Sequence, residues 1–328
     1  MNVVMNMYEY VLNMSCKFFI VFIGSEGVVA LRKRKTYILG VAIVFALLIT
    51  FIIFVFDFIE NKNDINWIKD LSYDENQIYD ITFGFFNPCP VIPIKIGNKN
   101  VALEFDTGNG MGIFITTALK DMIDYEIVGT TTELNADGTY RGEGTSISLK
   151  TIKVFGDEFQ NVMSSLNDWR MYGFFKINGT IGLKYFDNKV VTLDYDNKKI
   201  AVSNKTLDYS KLQNETYTVL PLIRSNLNNE EDLLFVEGEV NGEKCTIYYD
   251  TGSSRSFYSL EDVEDEIVVK LGEKSYTFKR NQLRHDEIGF QDDFKYPLKL
   301  AINSDLLKAN HFVIIIDKIQ NNLILCKN

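Results

Sequence analysis

Short runs in which apolar and polar residues alternate recur along the chain after residue 78. Two of them are Val101-Ala102-Leu103-Glu104-Phe105 and Cys245-Thr246-Ile247-Tyr248-Tyr249, and small turns precede them at Gly97-Asn98 and Asn241-Gly242. Alternation with a period of two is typical of β-strands, and a Gly/Asn pair between two such runs is a strong hairpin signal. The pattern therefore predicts an all-β fold in which each run is the second strand of a hairpin.

The two hairpins belong to a longer internal repeat. Adding 144 to position 106 gives 250, and both positions hold an aspartate directly after the alternating run. Each half also closes in a similar way, with segments at 181–186 and 190–200 in the first half and at 302–307, 312–317 and 321–325 in the second. A period of this length is too long for a solenoid, so the pattern indicates a duplicated domain.

A different pattern occupies the N-terminal part of the chain. Residues 37–59 are almost entirely apolar, which is long enough for one transmembrane helix, and the basic run Arg32-Lys33-Arg34-Lys35 stands directly before them. Since positively charged residues next to a membrane helix stay in the cytoplasm, we expect residues 1–36 to be a cytoplasmic tail. The region after the helix is then expected on the outer side of the cell membrane. A cleaved signal peptide is the competing interpretation. The polar residues 60–77 are predicted to be a tether, and residues 204–215 a linker between the two halves.

The repeat carries a chemical motif, Asp-Thr-Gly, at Asp106-Thr107-Gly108 and again at Asp250-Thr251-Gly252. One copy alone is ordinary turn chemistry. Two copies in a duplicated context predict two carboxylates that face each other. Such carboxylates share one proton, because two negative charges at close range repel each other and only one of the groups ionises. Such a pair can activate a water and polarise a carbonyl, so Asp106 and Asp250 are the candidate catalytic residues.

These motifs resemble those of the pepsin-like and retropepsin-like aspartic proteases, and the resemblance covers roughly residues 78–328. It implies a two-lobed fold with pseudo-twofold symmetry, with an N-terminal lobe at 78–207 and a C-terminal lobe at 208–328, in which Asp106 and Asp250 are catalytic. It also implies that the hydroxyls of Thr107 and Thr251 tie the two loops together, and that the terminal strands of the lobes meet in a shared sheet. Gly108 and Gly252 are expected to let the backbone approach closely.

The chain departs from the family pattern at two places. Asn109-Gly110 follows the first Asp-Thr-Gly, whereas Ser253-Ser254 after the second has the pepsin form. Asn303 stands where the family has a glycine in its second closing element.

The segment 135–144 is a turn-rich tip between two predicted strands of the first half. It resembles the flap hairpin that covers substrate in this family, with Gly138, Tyr140 and Gly142 as candidate substrate-binding residues. An exposed loop tyrosine is the alternative interpretation of Tyr140. The matching interval of the second half is shorter and lacks the glycines, which predicts a single flap.

Composition excludes several other classes of protein. The net charge of −10 argues against a nucleic-acid partner, which needs a basic face. The cysteines, at 16, 89, 245 and 326, show no metal-ligand spacing and no disulfide framework, so neither a metal nor another cofactor is expected. The resemblance allows a bridge between Cys89 and Cys326, but free thiols are the favoured prediction.

The sequence therefore predicts a membrane-anchored aspartic endopeptidase, preceded by one transmembrane helix, that acts as a monomer with an internal pseudo-dimer on peptide or protein substrates. A catalytically silent peptide-binding or sensor protein with the same cleft is the first alternative. A glycosidase with the same carboxylate pair is the second, and it is disfavoured because glycosidase carboxylates are wider apart than a proton-sharing pair.

Overall fold

The computed structural model describes residues 67, 71–74, 77–84, 88–110, 112–134, 140–168, 172, 176–212, 217–224, 232–261, 264–286 and 294–327. The predicted transmembrane segment 37–59 and Cys16 lie outside these ranges. Within them, no helix is long and apolar enough to cross a membrane. The compact unit that contains the described elements spans residues 65–328.

The described part of the chain is mostly β, at 57% strand, which agrees with the predicted all-β class. The strands of the first half are β1 (Ile78–Asp80), β2 (Thr82–Phe83), β3 (Pro90–Ile96), β4 (Lys99–Phe105), β5 (Ile113–Thr116), β6 (Tyr125–Leu134), β7 (Tyr140–Val154), β8 (Asp157–Asn167), β9 (Gly179–Ile181), β10 (Val190–Asp194) and β11 (Lys199–Ser203). The strands of the second half are β12 (Tyr217–Ile223), β13 (Leu234–Val240), β14 (Glu243–Tyr249), β15 (Ser256–Tyr258), β16 (Glu266–Leu271), β17 (Lys274–Lys279), β18 (Leu283–His285), β19 (Leu298–Ile302), β20 (Phe312–Asp317) and β21 (Asn322–Lys327).

The predicted duplication is visible in the strand bounds. β13 and β14 begin and end 144 positions after β3 and β4, and the two hairpins turn where the sequence predicts. At the second turn, Asn241 and Gly242 both have positive φ angles, as a tight hairpin turn requires. In each half the hairpin's second strand pairs in parallel with a later strand, β4 with β9 and β14 with β19. Both aspartates therefore stand directly after the last residue of a strand that has a neighbour on each side.

The halves are joined by a sheet to which both contribute, in the strand order β1-β11-β10-β20-β21-β12. β10 and β20 are antiparallel neighbours at its centre, with Val190 opposite Asp317 and Asp194 opposite Val313. The shared sheet implied by the family resemblance is therefore present. One large apolar cluster draws residues from both halves, and a second packs against the shared sheet.

The tether prediction for residues 60–77 does not hold for the last part of that segment. Trp67, Leu71 and Tyr73 are buried in the second apolar cluster, and the indole of Trp67 donates a 2.6 Å hydrogen bond to the buried Asp194. Burial of these large apolar side chains against the shared sheet stabilises the folded state. This stabilisation outweighs the preference of the neighbouring polar residues for water.

The linker predicted at 204–215 is also packed where the structure describes it. Leu207 and Leu212 belong to the same cluster, and the Tyr209 hydroxyl donates a 2.5 Å hydrogen bond to Asp317. Both predicted linkers thus bring an aromatic donor to a buried aspartate of the shared sheet.

Among the described residues there is one α-helix, α1 (Ser304–Ala309). The residues directly after β5 form a 3-10 turn over Thr117–Leu119. The predicted flap is a hairpin of β6 and β7, but its tip at 135–139, which includes Gly138, lies outside the described residues. Tyr140 is exposed and Gly142 is partly exposed in β7. No described contact brings either residue to the two aspartates.

Candidate active site

The two Asp-Thr-Gly loops face each other. A Cβ atom added to Gly108 would lie 2.5 Å from a carboxyl oxygen of Asp250, and one added to Gly252 would lie 2.2 Å from the carboxyl carbon of Asp106. Neither glycine has a positive φ, so the close approach of the opposite carboxyl, and not the turn, excludes a side chain here. The geometry brings Asp106 and Asp250 together across the pseudo-twofold axis, as the sequence predicts.

The threonines hold the loops in register through four reciprocal hydrogen bonds. The Thr107 amide donates to the Thr251 hydroxyl over 2.9 Å, and the Thr251 amide donates to the Thr107 hydroxyl over 3.0 Å. The two hydroxyls in turn donate to main-chain carbonyls of the opposite half, Thr107 to Tyr249 at 2.9 Å and Thr251 to Phe105 at 2.6 Å. Both threonines are buried, so each of these groups depends on its partner.

Thr107→Val and Thr251→Val are each expected to lower the free energy of unfolding by about 2 to 4 kcal/mol, because each leaves a buried amide and a buried carbonyl without a partner. Chemical denaturation of the full-length chain measures this. The exposed Thr277→Val on β17 is the matched control, expected to stay within about 0.5 kcal/mol of the wild type. Equal stability of the three variants would contradict the reciprocal network.

Backbone amides orient both carboxylates. The Gly108 amide donates to Asp106 over 2.9 Å, and the Gly252 and Ser253 amides donate to Asp250 over 3.0 and 2.9 Å. Burial is the main cause that raises the pKa of Asp250 well above its usual range, and the charge of Asp106 and a hydrogen bond with it raise it further. The two amide bonds act in the opposite direction without cancelling this. The pair therefore holds a proton that two isolated aspartates would release, as expected for carboxyls that share one proton.

At each of the two departures from the family pattern, an asparagine side chain forms hydrogen bonds within the loops of the site. In the first half the Asn109 side chain donates to the Gly112 carbonyl and the Thr180 hydroxyl, each at 3.0 Å, and Gly182 packs so closely that a Cβ there would lie 1.8 Å from the Asn109 carbonyl. In the second half the asparagine is in the closing element instead, and the Asn303 side chain donates to the Ser253 carbonyl over 3.1 Å.

Asn303 also caps α1. Its side-chain oxygen accepts hydrogen bonds from the Leu306 amide at 3.1 Å and from the Ser256 hydroxyl at 2.8 Å. An asparagine is a favoured residue at this position of a helix. Asn303 therefore holds the loop in place beside Asp250.

Sequence reasoning missed one ionisable side chain beside the site. Glu104 is 7% exposed and accepts a 2.5 Å hydrogen bond from the Tyr172 hydroxyl. Burial, with a further contribution from Asp106, raises the pKa of Glu104 from 4.5 to about 7, against the opposing effect of the Tyr172 bond. The available signal was its position two residues before Asp106, since alternate residues of a strand share a face.

Glu104 is expected to make folding stability depend on pH. The folded-state pKa lies above that of the unfolded chain, so stability is full below pH 4.5 and is lost as the pH rises to about 7. Since one pKa unit corresponds to about 1.4 kcal/mol, the loss amounts to about 3 kcal/mol. Glu104→Gln should therefore gain about 3 kcal/mol relative to the wild type between pH 4.5 and pH 8. Urea unfolding of both proteins measures this, and parallel pH curves would contradict it.

The cysteines of the described region are buried. Cys89, Cys245 and Cys326 are thiols in the structure, the state that the sequence analysis favours. The Cys89 thiol donates to the Phe105 carbonyl at 3.5 Å, directly beneath the paired loops. In the described ranges, no group of three or more His, Cys, Asp or Glu side chains is arranged to hold a metal ion.

Comparisons with known proteins give no family for the chain. A scan against models of known protein families finds no match, and a search of curated proteins finds none with significant similarity.

Proposed function

We propose that this protein is an aspartic endopeptidase that hydrolyses peptide bonds with a water activated between Asp106 and Asp250. The observation that carries the proposal is the approach of each carboxyl to the glycine of the opposite loop, at 2.2 to 2.6 Å from a Cβ built there. Two carboxyls so close, of which Asp250 has a raised pKa, are suited to share one proton.

The chemistry follows from that shared proton. The ionised carboxylate takes a proton from water as the water oxygen attacks the carbonyl carbon of the peptide bond, and the protonated carboxyl donates a hydrogen bond to the carbonyl oxygen. The tetrahedral intermediate then collapses, the C–N bond breaks, and the amine nitrogen leaves with a proton from the dyad. The Gly108 and Gly252 amides, which donate to the carboxylates of Asp106 and Asp250, fix their orientation. Little reorganisation of the carboxylates is therefore needed during the reaction.

The fold of this proposal is the two-lobed pepsin-like one. It is supported by the 144-residue offset of the two hairpins, by the parallel pairing of β4 with β9 and of β14 with β19, and by the shared sheet between the halves. The hairpin of β6 and β7 is proposed as the flap.

We also propose that the protein is anchored by residues 37–59 in the cell membrane with its catalytic region outside. This rests on the length of the apolar run and on the basic residues before it.

Exposure of a diverse peptide pool to the full-length chain tests the function. We expect new termini inside peptides, detected by mass spectrometry, and no such products from an Asp250→Ala protein. An oligosaccharide pool treated in parallel tests the glycosidase alternative. Peptide binding without cleavage by the wild-type chain would instead support the silent peptide-binding alternative.

A further inference from the structure

Glu104 lies on the face of β4 that is opposite to the main apolar cluster. The neighbouring Leu103 and Phe105 are fully buried in the main apolar cluster, so the side chain of Glu104 points to the opposite face, which it shares with Asp106. Residues two apart in a strand are separated by about 7 Å. The Glu104 carboxyl therefore lies next to the catalytic pair along the direction of the strand.

The contacts of Glu104 connect it to Tyr172 and to Asp106. The Tyr172 hydroxyl donates to its carboxyl, and Tyr172 itself is only partly buried. Tyr172 is connected to β4 by a short path, because the Ile177 amide donates to the Tyr172 carbonyl and the Asn178 amide donates to the Ala102 carbonyl. Glu104 and Tyr172 thus form a polar pair close to Asp106, whose charge raises the pKa of both.

The position of the second half that corresponds to Glu104 holds an aromatic side chain in apolar surroundings. Adding 144 to 104 gives Tyr248, whose ring stacks on Phe235 with centroids 4.9 Å apart. Tyr248 and Phe235 belong to an apolar cluster that includes Ala301. The two positions that flank the catalytic pair are therefore an acidic one and an aromatic one, although the backbone around them is repeated.

We propose that Glu104 is a specificity-determining residue that selects substrates with a basic side chain, lysine or arginine, next to the scissile bond. The inference rests on the proposed peptidase function. An extended substrate advances about 3.3 Å per residue, so a side chain one residue from the bond held at Asp106 reaches the neighbourhood of Glu104. A carboxylate shielded from water binds an ammonium or guanidinium group more strongly than an exposed one does.

The charges around Glu104 give the preference a pH signature. Within the part of the chain that the structure describes, the ionisable groups that interact with it are Asp106 directly after its strand, Tyr172 and Cys89, and none of these carries positive charge. Burial raises the pKa of Glu104 to about 7, so below that pH a bound cation must first displace a proton. The preference for a basic side chain is therefore expected to grow as the pH rises through 7.

The test compares peptides that differ only in lysine against norleucine, placed in turn at each position around the scissile bond. With the full-length chain at pH 8, we expect kcat/KM at one position to favour lysine by about tenfold or more, and by less at pH 5.5. Glu104→Gln should bring this ratio close to one at both pH values. The exposed Glu273→Gln, in the turn between β16 and β17, should keep the wild-type ratio.

A binding measurement separates this inference from the proposed function. The full-length Asp250→Asn protein is titrated with the same labelled peptide pairs, and fluorescence anisotropy gives the Kd values. Tighter binding of the lysine peptide at pH 8, lost on adding Glu104→Gln, supports the inference even if the wild-type chain cleaves nothing, in which case only the proposed function fails. Equal Kd values at every position, no binding of any lysine peptide, or a preference that survives Glu104→Gln would overturn it. If Glu104→Gln does not fold, a lysine preference of the wild-type chain that is independent of pH overturns it.

Discussion

Replacing either aspartate of the pair by asparagine is expected to reduce peptide hydrolysis on the order of 10⁴-fold or more. Asparagine has nearly the shape of aspartate, but it can neither take a proton from water nor share one with the opposite carboxyl. Asp106→Asn and Asp250→Asn should each cost about as much as the double replacement, because the two side chains work as one unit. Measurement of kcat/KM for one cleaved peptide gives all three values.

The folding of these variants is expected to persist. Burial and the neighbouring carboxyl oppose ionisation of Asp250, so a neutral side chain at this position removes an electrostatic cost. The exposed Asp121→Asn serves as the matched control for the chemical change and should keep wild-type turnover. Near-normal turnover by a well-folded Asp106→Asn or Asp250→Asn protein would remove the basis for the proposed mechanism.

The parts of the fold that the sequence predicts are those determined locally or by repetition. The hairpins before Asp106 and Asp250 follow from alternating residues and from turn residues whose backbone preferences are intrinsic. The repeat then supplies what local rules do not, since two equal halves with equal motifs imply a symmetric pairing. The apposition of the two aspartates is predictable for this reason.

The parts that were missed depend on contacts between distant residues. Trp67 and Tyr209 stand in polar segments that suggest linkers, yet each donates to a buried aspartate of the shared sheet. No pattern within either segment specifies a partner more than 100 positions away, as Asp194 and Asp317 are. Burial of an aromatic ring with a satisfied donor outweighs the composition of its neighbours.

Glu104 shows the same limit within a strand. The alternation that identifies β4 assigns this residue to the polar face, where a solvated carboxylate is the ordinary expectation. The structure instead pairs its carboxyl with the hydroxyl of Tyr172, a residue from the segment before β9. The strand prediction is correct, and the environment of its polar face is set by tertiary packing.

A single methyl group at the apposed loops is expected to separate stability from catalysis. In Gly108→Ala the new Cβ would lie 2.5 to 2.6 Å from the carboxyl atoms of Asp250, which is closer than non-bonded atoms allow. Because these atoms are the end of a side chain, Asp250 can rotate away while the backbone stays in place. Displacement of a reacting group by about 1 Å costs on the order of 10²-fold in rate, so kcat/KM should fall by at least this factor. Gly252→Ala should act in the same way on Asp106, whose carboxyl atoms lie 2.2 to 2.6 Å from the corresponding Cβ.

Two further glycines provide the comparison that makes the result specific. A Cβ on Gly182 would meet the Asn109 carbonyl at 1.8 Å, and since a backbone atom cannot rotate away, Gly182→Ala is expected to lower the free energy of unfolding by about 3 kcal/mol or more. A Cβ on Gly142 would meet nothing within 4 Å, so Gly142→Ala should leave stability nearly unchanged. Denaturation midpoints measured beside kcat/KM should therefore show Gly108→Ala folded but inactive and Gly182→Ala unstable. If Gly108→Ala keeps full activity, the carboxyl of Asp250 does not sit over the opposite loop, and a pair that shares one proton cannot form there.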